Sequence, residues 1–169
     1  MKKVILGATG SIGSSLAKKL VDSGEQVHLV GRDEASLSEL ANELNSTFTT
    51  CDVLEENFSE KIINDLKDEQ VNGLAYCVGS IDLKPLKLTK KSDFMQSFNL
   101  NLVSATEIIK SLADNLKASK GSIVLFSTVA VQQGFPNHAI VSSAKGAVEG
   151  LTLALAAEYA PNILSLIHI

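Results

Sequence analysis

Short apolar runs alternate with longer amphipathic stretches along nearly all of this 169-residue chain, and that alternation constrains its fold more than any other feature. Val4–Leu6, Val27–Val30, Thr47–Cys51, Gly73–Val78 and Ile123–Phe126 are short, apolar or β-branched, and bounded by turn residues, which is the pattern of buried strands. Between them, Ser14–Ser23, Glu34–Leu44, Phe58–Lys67, Phe94–Lys117 and Ala144–Tyr159 carry apolar positions at helical spacing. In the last of these, Val148, Leu151, Leu155 and Tyr159 recur at three- and four-residue steps and form one stripe. Parallel strands need crossover connections, and crossover helices cover both faces of a sheet. The order therefore predicts a doubly wound α/β domain with a parallel sheet, and Gly79–Thr89, which holds Pro85, is its one long loop candidate.

Composition narrows the function classes. Hydrophobic residues make up 45% and charged residues 20%, enough apolar surface for one core and too much for a disordered chain. The net charge of −4 gives no electrostatic reason to expect nucleic-acid binding. No uninterrupted apolar run approaches the eighteen or so residues of a membrane-spanning helix, so no membrane partner is expected. Lys2 and Lys3 precede apolar residues, but Val4–Leu6 ends at Gly7 and is too short for a signal peptide. Cys51 and Cys77 stand 26 positions apart, and His28, His138 and His168 form no cluster with them. Neither a disulfide framework nor a metal site is expected, and a reducing cytoplasm fits best.

The first strand runs through Gly7-Ala8-Thr9-Gly10-Ser11-Ile12-Gly13 directly into a helix, with glycines at steps of three. Small residues there let the backbone approach a pyrophosphate, and the helix N-terminus offers free N–H groups and partial positive charge. A tight turn that needs glycine only for packing is the plainer alternative. The second strand ends Val30-Gly31-Arg32-Asp33. Where an acidic residue would bind the ribose diol of NAD stands Gly31, followed by Arg32, whose guanidinium suits the 2′-phosphate of NADP. NADP is the expected cofactor, with NAD the alternative. Asp33 is a helix cap or, if the turn is one residue longer, a ribose ligand.

From Met1 to about Asn162 the chain resembles the short-chain dehydrogenase/reductase family. Leu6–Gly13 looks like its glycine-rich turn, and Cys51-Asp52-Val53 is similar to the segment whose aspartate contacts the adenine. Tyr76-Cys77-Val78-Gly79 occupies the place of Asn-Asn-Ala-Gly and keeps only the glycine. Phe94-x6-Asn101-Leu102 matches the helix that carries the active-site asparagine, and Gly121–Ala130, with Ser127-Thr128, the strand that ends at the catalytic serine. Val141-Ser142-Ser143-Ala144-Lys145 falls where the family has Tyr-x-x-x-Lys. The resemblance implies a Rossmann-like sheet of order 3-2-1-4-5, hydride exchange between NAD(P)(H) and a carbonyl or secondary alcohol, and a homo-oligomer. It places cofactor contacts at Gly7, Thr9, Gly10, Ser11, Ile12, Gly13, Arg32, Asp52, Val53, Cys77, Gly79 and Lys145, and catalytic groups at Asn101, Thr128 and Lys145.

In the family, a tyrosine exchanges the proton, and a lysine four residues on lowers the phenol pKa by favouring phenolate. A serine polarises the carbonyl, and an asparagine anchors a relay water. Here the lysine and asparagine are Lys145 and Asn101, the serine position is Thr128, and the tyrosine position is Val141, which has no proton to give. His138 is a weak substitute that precedes the helix; Ser142 and Ser143 read as helix-start residues, and Asn99 competes with Asn101 less well. Lys145 has a second role open to it, hydrogen bonding to the nicotinamide ribose. Cys77 reads as a small hydrophobe rather than a nucleophile. A non-catalytic dinucleotide-binding protein is thus the second reading.

After Asn162-Ile163 the sequence Leu164-Ser165-Leu166-Ile167-His168-Ile169 departs from the family pattern. The expectation is one domain over residues 1–163, a stub of a sixth strand, a non-native tail over 164–169, and a final strand missing. An exposed stub is an association hazard.

Overall fold

Each of the short runs becomes a strand of a single parallel sheet in the computed structural model, which describes residues 1–169. The strands are β1 (Lys2–Leu6), β2 (Gln26–Gly31), β3 (Thr47–Thr50), β4 (Val71–Tyr76), β5 (Ser122–Phe126) and β6 (Leu164–His168), in spatial order β3-β2-β1-β4-β5-β6. The first five follow the implied order. The sixth is more than a stub: its five residues pair in parallel with β5 from Ser122↔Leu164 to Phe126↔His168. Alternation explains it, since Ser165 and Ile167 are half-buried while Leu164, Leu166 and His168 are exposed.

Helices cover both faces. On one, α1 (Ser11–Asp22) and α2 (Glu34–Glu43) bury Ala17, Leu37, Leu40 and Ala41 against Ile5, Val27, Leu29 and Ala75. On the other lie α3 (Phe58–Leu66), α5 (Ser104–Ala118) and α7 (Ala139–Tyr159), whose Phe58, Ile108, Leu112, Val148 and Leu155 meet Val4, Leu6, Leu74, Ile123 and Leu125. Two short helices, α4 (Lys91–Phe98) and α6 (Ala130–Gln133), lie in the segments after β4 and β5. The helix expected over Phe94–Lys117 is α4 and α5 joined through a π-turn at Asn99–Val103. The loop after β4 holds a single 3₁₀ turn at Leu86–Leu88.

The helix α7 starts five residues earlier than its stripe suggested, because Ile140 and Val141 are also buried. Its 21 residues are long and apolar enough to cross a membrane by length and composition alone. Lys145 and Glu149 interrupt it, and its buried stripe packs on β5 and β6.

One titratable side chain lies wholly inside. His28 on β2 is fully buried, with Nδ1 2.8 Å from Thr47 Oγ1 and Nε2 2.9 Å from Thr49 Oγ1. Thr49 donates to Asp65 at 2.6 Å, so its oxygen accepts from the ring; Lys2 donates to Thr47 at 2.9 Å, leaving that hydroxyl's proton for Nδ1. The network thus fits neutral imidazole with the proton on Nε2. Burial, reinforced by the Lys2 charge and opposed by Asp65 and Glu69, lowers the pKa to about 4.

Because the folded value lies below the unfolded value of about 6.5, the unfolded chain takes up the proton first. Stability is therefore full above pH 6.5 and declines as pH falls towards 4, by on the order of 3 kcal/mol. Urea unfolding across that window is expected to show the decline in the wild type and little of it in His28→Gln; equal slopes would contradict this assignment.

Candidate functional site

The backbone leaving β1 turns at Gly7, whose φ of +75° is a conformation L side chains rarely adopt. Gly7 and Ala8 donate their N–H groups to the Val30 carbonyl at 2.9 and 3.0 Å, and Cys77 donates to the Leu6 carbonyl at 2.9 Å. The turn is thereby fixed between β2 and β4. A Cβ on Gly13 would stand 2.3 Å from the Gly7 oxygen, so the first turn of α1 rests on the β1 backbone at a distance no side chain permits. Gly10 is the N-cap, no side chain caps the helix, and no acidic residue lies in its first turn. The N–H groups of Ser11, Ile12 and Gly13 are left for an anionic partner.

In front of this turn opens a cleft of about 700 Å³. It follows the carboxyl ends of β3, β2, β1 and β4, the crevice where doubly wound sheets bind ligands. Of the expected cofactor residues, Gly7, Thr9 and Gly10 line it at β1, Arg32 at β2, Asp52 and Val53 at β3, and Cys77 and Gly79 at β4. Ser11, Ile12 and Gly13 stand behind its lining, as the first turn of α1. No side chain plugs the cleft at the turn. An uncapped helix end, a glycine cradle and an open crevice together fit a dinucleotide diphosphate.

At the β2 end, Arg32 is exposed and its Nη1 lies 3.5 Å from Asp52 Oδ2. Asp33 lines the cleft, but its Oδ1 accepts from Ser36 N at 2.8 Å as the N-cap of α2. Hydrogen bonding from Ser36, its side chain first and its backbone N–H second, holds the carboxyl below the usual carboxylate range. The cap is what Asp33 does here, and no acidic side chain grows from Gly31.

Asn101, Thr128 and Lys145 lie outside the cleft lining. The first and last of them meet over Gly79: a Cβ there would stand 3.0 Å from Asn101 Oδ1 and 3.4 Å from Lys145 Nζ. Asn101 is buried inside the π-turn, its Nδ2 donating to the Ser97 carbonyl at 2.9 Å while Oδ1 has no partner. Lys145 is half-buried, and burial lowers its pKa, with Cys77 opposing. Cys77 itself is pushed by burial to about 11, the opposite of what a nucleophilic thiolate requires.

Thr128 follows β5, and its hydroxyl accepts from Ala130 N at 3.3 Å. Ser142 donates to the Ala130 carbonyl at 3.2 Å and so ties the start of α7 to this segment. Val141 is buried and apolar. Ring Nδ1 of His138 lies 2.8 Å from the Pro136 carbonyl, and the ring packs edge-on against Phe135, as a loop histidine does.

Sequence reasoning missed several contributors, Leu54 and Ser80 of the cleft lining among them. Gln96 and Leu100 line the cleft from α4 and the π-turn, and Tyr76 reaches the same turn from β4. No local pattern signals the last, whose partner lies 24 positions away.

A short chain dehydrogenase family profile matches residues 2–168. The chain is 32% identical over 157 residues to L-fucose dehydrogenase of Oryctolagus cuniculus, covering 90% of this chain and 55% of the relative. It is 30% identical over 166 residues to L-xylulose reductase of Bos taurus, covering 95% and 66%. It spans less than two thirds of the length of either. A solved short-chain dehydrogenase of Streptomyces avermitilis superimposes with a TM-score of 0.91 at 22% identity over 98% of this chain and 63% of that one, which shows the shared fold. Glycine turn, sheet order, π-turn asparagine and helix lysine thus stand together in a chain whose whole length the profile spans, and the chain belongs to the short-chain dehydrogenase family.

Proposed function

We propose that this chain forms the cofactor-binding part of an NADP-preferring oxidoreductase that interconverts a small carbonyl compound and a secondary alcohol. The observation that carries the reading is the open cleft running from the uncapped α1 terminus, past Arg32, to Gly79 beside Asn101 and Lys145. The amides of Ser11–Gly13 hold the diphosphate, Arg32 takes the 2′-phosphate, and Asp52 and Val53 receive the adenine. Bound NADPH supplies the hydride. Lys145 hydrogen-bonds the nicotinamide ribose, a role that needs no neighbouring phenol, and Thr128 keeps a hydroxyl for the substrate oxygen. Homo-oligomer formation belongs to the same reading, since α4–α5 and α7 are the helices that pair in the family.

Val141 favours a second reading, a dinucleotide-binding protein without turnover. A positioned proton donor contributes ~10²–10⁴-fold. Val141 supplies none, and His138 is engaged by the Pro136 carbonyl.

Two experiments test these readings. Arg32→Ala is expected to weaken NADPH roughly 10- to 100-fold in a fluorescence titration while changing NADH little, the loss of a charged hydrogen bond. Equal effects on both would remove the NADP preference. The two relatives are named for small sugars, so L-xylulose reduction and L-fucose oxidation are the first reactions to assay. Turnover is expected in the wild type and to rise on Val141→Tyr by up to ~10²-fold or more. Activity only in the variant would favour the non-catalytic reading.

A further inference from the structure

The wall of the cleft beside Asn101 is a helix that has been forced out of α-helical register. Over Asn99–Val103 the backbone is a π-turn, closed by the Ser104 N–H donating to the Asn99 carbonyl five residues back. Such a turn adds one residue to the helix and redirects the side chains it carries. Here those include Leu100, which lines the cleft, and Asn101, whose amide oxygen is buried without a partner. Three hydroxyls fasten the turn. Thr106 Oγ1 donates to the Leu102 carbonyl at 2.9 Å, from within the helix. Ser104 Oγ donates to the Asn99 carbonyl at 2.8 Å, from within the helix. Tyr76 Oη donates to the Leu100 carbonyl at 2.6 Å, from the end of β4.

Tyr76 is the only one of the three that comes from outside the helix. It is 3% exposed, and α5 packs directly on its strand. The Leu100 carbonyl thus takes its bond from a side chain that belongs to the sheet, and the π-turn is pinned to the strand that leads into Cys77 and Gly79. Gly79, three residues on, is where Asn101 Oδ1 and Lys145 Nζ converge.

We propose that Tyr76 is a positioning residue: its hydroxyl holds the π-turn so that Leu100 closes the cleft wall and Asn101 presents its carbonyl oxygen beside Lys145. The meaning of this for turnover rests on the proposed function, but the device is a property of the chain without cofactor. An acceptor beside an ammonium favours its charged form. Withdrawing Asn101 Oδ1 therefore lowers the Lys145 pKa, and Cys77 is the other titratable group facing that lysine.

The test compares wild type, Tyr76→Phe, Asn101→Ala and the double variant, all without cofactor, so that a failure to bind NADPH leaves it readable. Amide hydrogen exchange in Tyr76→Phe is expected to rise roughly tenfold at residues 101–104 and to stay unchanged in β1 and β2. In proteins reductively methylated with ¹³C, the Lys145 titration midpoint is expected to move down in Tyr76→Phe and Asn101→Ala alike, with no further move in the double variant. An exchange increase spread evenly over every strand, or none at all, overturns the proposal. So does a Lys145 midpoint that moves in Asn101→Ala but not in Tyr76→Phe, or in neither. Should Tyr76→Phe not fold, wild type labelled at tyrosine Cζ decides the matter. A slowly exchanging Tyr76 hydroxyl that resists ionisation supports the proposal, and a freely exchanging phenol overturns it.

Discussion

The contact between the first turn of α1 and the backbone leaving β1 governs everything else in this molecule. Gly13 sits so close to the Gly7 carbonyl that the smallest side chain would stand 2.3 Å from it, and Gly7 itself turns through positive φ against the end of β4. These two positions seat the helix axis over the strand and aim its free N–H groups at the crevice between β1 and β4. The crevice in turn places the loops after β2 and β3 on one side and Gly79 on the other. A larger residue at either glycine would move the helix end, and the phosphate-binding geometry would go with it.

The proposed binding and proton chemistry fall on separate parts of this fold. The turn, Arg32 and Asp52 sit at the carboxyl ends of β1, β2 and β3, along the open cleft. At the other end, where the family resemblance puts the reactive groups, stand Asn101, Thr128 and Lys145, with a buried valine at the tyrosine position. A half-buried ammonium without its phenol partner is still useful as a hydrogen-bond donor to a sugar hydroxyl. The unpartnered oxygen of Asn101 is the polar atom that the fold brings beside it over Gly79.

Much of this was legible in the sequence because periodicity and glycine spacing report directly on backbone geometry. The five strand runs, the stripe of Val148, Leu151, Leu155 and Tyr159, and the turn from Gly7 to Gly13 all lie where the pattern placed them. The cap made by Asp33 was one of two readings, and the short Asp33–Ser36 bond decides between them. The π-turn was hidden because one extra residue shifts helical phase without changing composition. The strand at Leu164–His168 was underestimated because it departs from the family's residues while keeping the alternation a strand needs. Tyr76 was invisible for a third reason: its role depends on a carbonyl 24 positions away, and no local pattern reports such a bond.

The most direct test of the account is the response of backbone amides to NADPH, followed by ¹⁵N chemical shifts in the full chain. The account predicts that the largest shifts fall on Ser11, Ile12 and Gly13, followed by Gly31 and Arg32, with β6 and the far ends of the strands unmoved. Saturating NADPH that leaves the Ser11–Gly13 amides in place, or that perturbs only residues remote from the cleft, would contradict it.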